Sequence, residues 1–217
     1  MKERDRREPH ERRRMVLTGG PGAGKSAVRK LVRQSRRRHV WIVPEFAGTL
    51  FGGGFPRGTS LSQQRTAQHA VYSVERELGM SIATVDLAIA LCDRSTIEGG
   101  AYCPDEVDLR SSIRTIKQAE FARYDPVIHL RTPQSQAGYR DNRLRLEDAV
   151  QAPAIDERIA AAWATCPHCC AAPSTVSFLE MASRTLWILR EEMPECCRER
   201  IAVLDTGGRR TEENIGG

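Results

Sequence analysis

The segment Gly19-Gly-Pro-Gly-Ala-Gly-Lys-Ser26 packs four glycines, a lysine and a hydroxyl into eight positions, the spacing G-x-x-x-x-G-K-S. Glycines let a backbone turn tightly and bring bare N–H groups against phosphate oxygens, where any Cβ would crowd them. A helix beginning at Lys25 adds the positive end of its dipole. In that arrangement Lys25 reaches the β- and γ-phosphates of a nucleotide and the Ser26 hydroxyl ligates Mg²⁺. The expected contacts of ATP (or GTP) are therefore Gly19, Gly20, Pro21, Gly22, Ala23, Gly24, Lys25, Ser26 and Ala27.

Phosphoryl transfer also needs a carboxylate beside the metal, an oriented nucleophile and charge neutralisation at the moving group. Asp93 ends the apolar run Leu87–Cys92, the place for an acid that completes the Mg²⁺ shell together with Ser26. Arg94 follows it directly and can contact an acceptor or a phosphate. Glu45, in Pro44-Glu-Phe46, ends a second apolar run, where a carboxylate could take a proton from a substrate hydroxyl. Arg140, Arg143 and Arg145 lie in the polar, arginine-rich stretch Gln134–Arg145. Guanidinium groups on such a segment, closing as a small lid, would neutralise the transferring phosphoryl group. The counter-reading is a solvated arginine face, since 29 of the 33 Lys and Arg residues are arginine.

These residues work only if strands and helices place them together. Arg14–Thr18 reads as a buried strand running into the glycines, and Ser26–Arg37 as a short amphipathic helix behind them. His39–Pro44, Asp86–Cys92 and Pro126–Leu130 read as further strands. Leu61–Gly79, Ile113–Arg123, Glu147–Trp163 and Ser177–Met193 have helical spacing, and Ile201–Leu204 is a further short strand or tail element. The glycine-rich stretch Phe46–Ser60 is expected to be a flexible loop. Strands alternating with helices predict an α/β fold of three layers, with a parallel sheet of about five strands covered on both faces. Residues 1–13 are expected to be a charged flexible tail, 14–205 the domain and 206–217 a second flexible tail.

At 217 residues and 24.3 kDa the chain suits one sizeable domain. No apolar run approaches the roughly 20 residues of a membrane span, and the N-terminus has no apolar secretory core, so a cytoplasmic location is expected. A net charge of +5 suits phosphate handling, whereas 6% aromatic residues without basic–aromatic interleaving makes nucleic acid an improbable partner. Oligomeric state is open. The seven cysteines include Cys166-x-x-Cys169-Cys170 and Cys196-Cys197; a zinc site and a redox pair are alternatives, but one CxxC is a weak signal and ordinary reduced thiols are the better reading.

Four groups of residues carry a family likeness: Gly19–Ser26, Val43-Pro-Glu-Phe-Ala47, Asp93-Arg-Ser-Thr-Ile-Glu98 with Ala101-Tyr102, and Tyr124-Asp-Pro-Val-Ile-His-Leu-Arg-Thr-Pro133. Gly138-Tyr139, Asn142, Leu144-Arg145, Glu147, Ile155-Asp-Glu-Arg158 and Trp163 extend it. Together they resemble the AAA_28 family of P-loop ATPases, similar in fold to nucleoside and nucleotide kinases such as nicotinamide riboside kinase. The chain departs from the family pattern at Ser95, where glycine is usual, and at Cys166–Cys170. The resemblance implies a kinase-like domain with Lys25, Ser26, Glu45, Asp93 and Arg94 around the phosphates and a small-molecule phosphoryl acceptor. The expected function is phosphotransfer to a nucleoside- or nucleotide-like metabolite. The alternative is a nucleotide-hydrolysing or nucleotide-sensing switch that binds a protein or lipid partner.

Overall fold

Met15, Val16 and Leu17 are 0–1% exposed within the strand β1 (Arg13–Thr18), apolar toward both sides, as a central strand of a parallel sheet must be. The computed structural model describes residues 12–34, 40–82, 88–103, 106–132, 151–172, 178–193 and 195–198. β1 leads through the glycine loop into α1 (Lys25–Gln34), then β2 (Val40–Val43), α2 (Phe46–Gly52), α3 (Leu61–Ile82) and β3 (Ile89–Asp93) follow. A 3₁₀ turn over Glu98–Tyr102 precedes α4 (Glu106–Ser112), α5 (Lys117–Phe121) and β4 (Val127–Leu130). The chain continues through α6 (Gln151–Trp163), β5 (Cys169–Ala172), α7 (Phe178–Glu191) and α8 (Glu195–Arg198).

The strands form one five-stranded sheet in the order β2-β3-β1-β4-β5, and every pair is parallel. The expected three-layer α/β fold is present. Met15 and Leu17 of β1, with Ile89 and Leu91 of β3, face a core completed by Val28 and Val32 of α1 and Met181, Leu186 and Leu189 of α7. Val16, Ala90 and Cys92 face the opposite way, onto Ile155, Ile159 and Trp163 of α6 and Ile82 of α3. Side chains of a strand alternate between its two faces, and both faces here are buried, as expected for a sheet covered on both sides. From β1 the chain crosses out to β2 on one side, and β4 pairs with β1 on the other. Such a sheet opens a crevice at the carboxyl ends of its central strands.

Two expectations fail. Phe46–Ser60 is not a loop throughout, because Phe46–Gly52 forms α2. Its Phe46, Leu50 and Phe51 are half-buried, and it packs on α3; burial of these side chains outweighs the poor helix propensity of its glycines. Nor is Ile113–Arg123 one helix. α4 ends at Ser112, Arg114 takes φ 53°, and the five-residue α5 begins only at Lys117. A left-handed residue cannot continue a right-handed helix. The expected lid segment, Ile201–Leu204 and both tails lie outside the described residues, apart from Arg12 and Arg13.

Candidate functional site

The phosphate loop follows from local sterics. Gly19, Gly22 and Gly24 take φ of 137°, 82° and 89°. A Cβ on Gly19 would stand 2.1 Å from the Leu130 carbonyl oxygen, so only glycine lets β1 turn out of the sheet beside β4. Lys25 and Ser26 open α1, where the first N–H groups have no partner one turn back. The Ala27 N–H donates to the Gly24 carbonyl at 3.0 Å. Lys25 is buried, and its Nζ donates to the carbonyl oxygens of Gly20, at 2.9 Å, and Gly19. Burial, reinforced by the positive charge of Arg94, lowers its pKa from 10.5 to about 8.

Asp93 sits at the carboxyl end of β3, beside β1, and is 4% exposed. One carboxylate oxygen pairs with Arg29 of α1. The other, Oδ1, is buried and has no hydrogen-bond partner among the described residues. Burial raises the pKa of Asp93, against the pull of Lys25, Arg29 and Arg94. A buried carboxylate oxygen with an unused lone pair, near the first residues of α1, fits a nucleotide-bound Mg²⁺ shell.

Arg94 takes φ 79°, a conformation that costs a non-glycine residue about 1–3 kcal/mol and clusters at functional sites. Its N–H donates to the Leu17 carbonyl of β1 at 3.2 Å. Its guanidinium lies between acids: Nε is 2.6 Å from Glu45, another nitrogen 3.5 Å from buried Glu98, and a third contact is the Tyr102 hydroxyl. Glu45 stands where β2 passes into α2. The two sequence candidates thus form one ion pair that joins two strand ends.

A cavity of about 390 Å³ opens at this pair. Ser26 and Arg29 of α1 line one wall, Glu45 and Arg94 the floor, and Phe51 of α2 and Gln68 of α3 the outer side. Glu75 of α3 and Glu98 also face it. Burial, and then the charge of Glu98, pushes Glu75 up to about 8.

Of the candidates, the structure brings Lys25, Ser26, Glu45, Asp93 and Arg94 to the carboxyl ends of β1, β2 and β3. Arg140, Arg143 and Arg145 lie outside the described residues. Sequence reading missed Arg29 and Glu75. Arg29 stands one helical turn after Lys25 and its spacing was readable, whereas nothing local distinguishes Glu75 from other acids on a long helix. Of the cysteines, Cys92, Cys103 and Cys166 are buried, Cys169 half-buried and Cys170 exposed, all as free thiols. Among the described residues no three His, Cys, Asp or Glu side chains gather to hold a metal ion by themselves. The side chains of Cys196 and Cys197 are not described. Among the described residues no helix is long and apolar enough to cross a membrane.

The model of the AAA domain family AAA_28 matches residues 14–179, from β1 into α7. The chain belongs to the AAA_28 family. No curated protein matches it significantly. Among solved structures, this AAA_28 chain is similar to deoxyadenosine kinase from M. mycoides with products dCMP and a flexible dCDP bound. The TM-score is 0.55 at 10% identity, over 82% of this chain and 99% of that one. The same kinase with bound dATP gives 0.55 at 11% identity, over 82% and 98%. At such identity the likeness speaks for the fold, which is that of a P-loop kinase.

Proposed function

We propose that this AAA_28 chain is a phosphotransferase that moves the γ-phosphoryl group of ATP (or GTP) onto a hydroxyl of a small nucleoside- or nucleotide-like metabolite. One observation carries the reading: Ser26 of the phosphate loop and the Glu45–Arg94 pair line the same 390 Å³ cavity. A donor site therefore opens directly into a chamber able to enclose a small acceptor. A switch that only hydrolyses nucleotide needs no such chamber. The likeness to a deoxyadenosine kinase supports a nucleoside-like acceptor.

The loop amides and Lys25 would hold the β- and γ-phosphates, Lys25 leaving the Gly19 and Gly20 carbonyls to do so. Ser26 and Asp93 would hold Mg²⁺, which supplies charge neutralisation between the phosphates when bound. Glu45, held by Arg94, would orient the acceptor hydroxyl and receive its proton. Arg94 would offset charge on the transferring group. The residues expected on the lid, Arg140, Arg143 and Arg145, would act on the same group. The protein would then work where ATP and Mg²⁺ are abundant, as in cytoplasm.

The test is thermal-shift binding of ATP and GTP with Mg²⁺, followed by an ADP-release screen over nucleosides, nucleotides and pyridine nucleosides. Strong stimulation of release by one acceptor class is expected. Tight nucleotide binding with slow release that no acceptor stimulates would sink the kinase reading in favour of the switch.

A further inference from the structure

Behind the phosphate loop, on the side of β4 and α6, lies a buried carboxylate that phosphoryl transfer itself does not use. Asp156 of α6 is 2% exposed. Its Oδ1 accepts the backbone N–H of Gly20 at 2.8 Å and stands 2.9 Å from Nε2 of His129, itself buried on β4. Its Oδ2 lies 3.2 Å from Nε of Arg131. The Thr132 backbone N–H adds a weaker pull on its charge. Burial opposes its ionisation, but the hydrogen bonds from His129 and from the Gly20 and Thr132 N–H groups outweigh it and hold the carboxyl below its usual range.

Two oxygens offer about four lone-pair sites, and three donors converge on them: the Gly20 amide, His129 and Arg131. Thr132 adds a second tie, its hydroxyl donating to the Pro21 carbonyl at 3.3 Å. The fit against the loop is close. A Cβ on Gly20 would stand 2.5 Å from the Thr132 hydroxyl and 2.8 Å from Cβ of Asp156. A carboxylate behind an anion site would repel phosphate, and the guanidinium of Arg131, shared with the more exposed Glu157, offsets part of that charge.

We propose that Asp156 is a positioning residue of the phosphate loop. By drawing the Gly20 N–H backward it fixes the peptides on either side, so that in the empty loop the Gly19 and Gly20 carbonyls meet Lys25, the Gly20 carbonyl also takes the Ala23 N–H, and the amides of Gly22, Gly24, Lys25 and Ser26 are left for phosphate. Gly20 then serves the site through its carbonyl and its lack of a side chain, with its N–H withheld from the nucleotide. The proposal rests on the nucleotide-binding reading above.

The experiment measures Kd for a fluorescent ATP analogue with Mg²⁺ on the full chain at a temperature where each variant is folded by circular dichroism. Wild type is measured first; if it binds no nucleotide, the functional reading fails before Asp156 is at issue. Asp156→Ala is expected to weaken binding at least tenfold. Asp156→Asn, which keeps the shape but turns an NH₂ donor toward Arg131, is expected to fall between. Ile159→Ala, one turn along the same helix in the core, controls for destabilisation and is expected to stay within twofold of wild type. Binding within twofold for folded Asp156→Ala, or equal loss in Ile159→Ala, overturns the proposal. Should both Asp156 variants fail to fold, hydrogen exchange on wild type decides. The Gly20 amide is expected to be protected with and without nucleotide, and rapid exchange of that amide in the folded protein overturns the clamp.

Discussion

The donor and acceptor sides of this crevice are built in opposite ways. The donor side is one contiguous segment, from Thr18 to Ser26, and its chemistry is backbone amides with a single buried lysine. The acceptor side draws on β2, α2, α3, β3 and the 3₁₀ turn, and its chemistry is side-chain carboxylates, Glu45, Glu75 and Glu98, around Arg94. Backbone groups on a short loop are set largely by its own glycines, with Gly19, Gly22 and Gly24 at positive φ, and need only a few distant groups such as Leu130 and Asp156 behind them. Side chains from five elements must be held by one another, and the strained φ of Arg94 is kept by its bonds to Leu17, Glu45 and Tyr102. The difference suits the two ligands. Every nucleotide donor presents the same phosphates, whereas an acceptor must be told apart from others by side chains.

The sharpest break of this comparison is Lys25→Ala, expected to weaken ATP·Mg²⁺ binding by roughly two orders of magnitude in isothermal titration, consistent with loss of a buried charge-assisted contact. Unchanged affinity would remove the donor side altogether. Next, Asp93→Asn is expected to lower kcat about 10²-fold and to raise the Mg²⁺ concentration needed for half-maximal turnover. Full turnover at ordinary Mg²⁺ would take Asp93 out of the metal shell. Glu45→Gln separates the two sides: kcat with acceptor should fall about 10²-fold while nucleotide Kd stays within twofold of wild type, and a matching loss in Kd would mean that Glu45 belongs to the donor.

The smallest effects are on stability. Glu75 has a folded pKa raised to about 8 from 4.5, so the native state binds the extra proton between those values and stability falls as pH rises through that window. Glu75→Gln should flatten that fall in denaturant titrations from pH 5 to 8; an unchanged slope would show that Glu75 is solvated. Lys25 runs the other way. Its folded pKa of about 8 against 10.5 unfolded means the empty protein carries a burial cost at neutral pH, relieved as pH rises from 8 to 10.5. Lys25→Met is therefore expected to raise Tm of the nucleotide-free protein at pH 7 by roughly 6–12 °C, for a cost of about 3 kcal/mol. A lower Tm would mean that the bonds to Gly19 and Gly20 outweigh that cost.

The phosphate loop, its flanking strand and helix, and the alternation of strands and helices could all be read from residue order. Each is governed by short-range rules: glycine sterics, the unbroken apolar run of β1 and the helical spacing of α3 and α6. The same rules placed Glu45 and Asp93 at strand ends, because a polar residue closing an apolar run marks where the strand leaves the core. They did not reveal that Phe46–Gly52 is helical, since its packing on α3 overrides weak propensity. Nor did they reveal that Glu45 pairs with Arg94, 49 positions later, or that Glu75 and Glu98 share a cavity with Ser26. Asp156 was visible only as part of a family-like stretch, Ile155-Asp-Glu-Arg158, and its bond to Gly20 spans 136 positions. The sequence by itself determined the strand–loop–helix that meets phosphate, because that geometry is written into adjacent residues. Which acids surround the acceptor, and which carboxylate holds the loop from behind, the tertiary structure alone decided, through the parallel strand order that sets β3 beside β1 and β4 on its other flank.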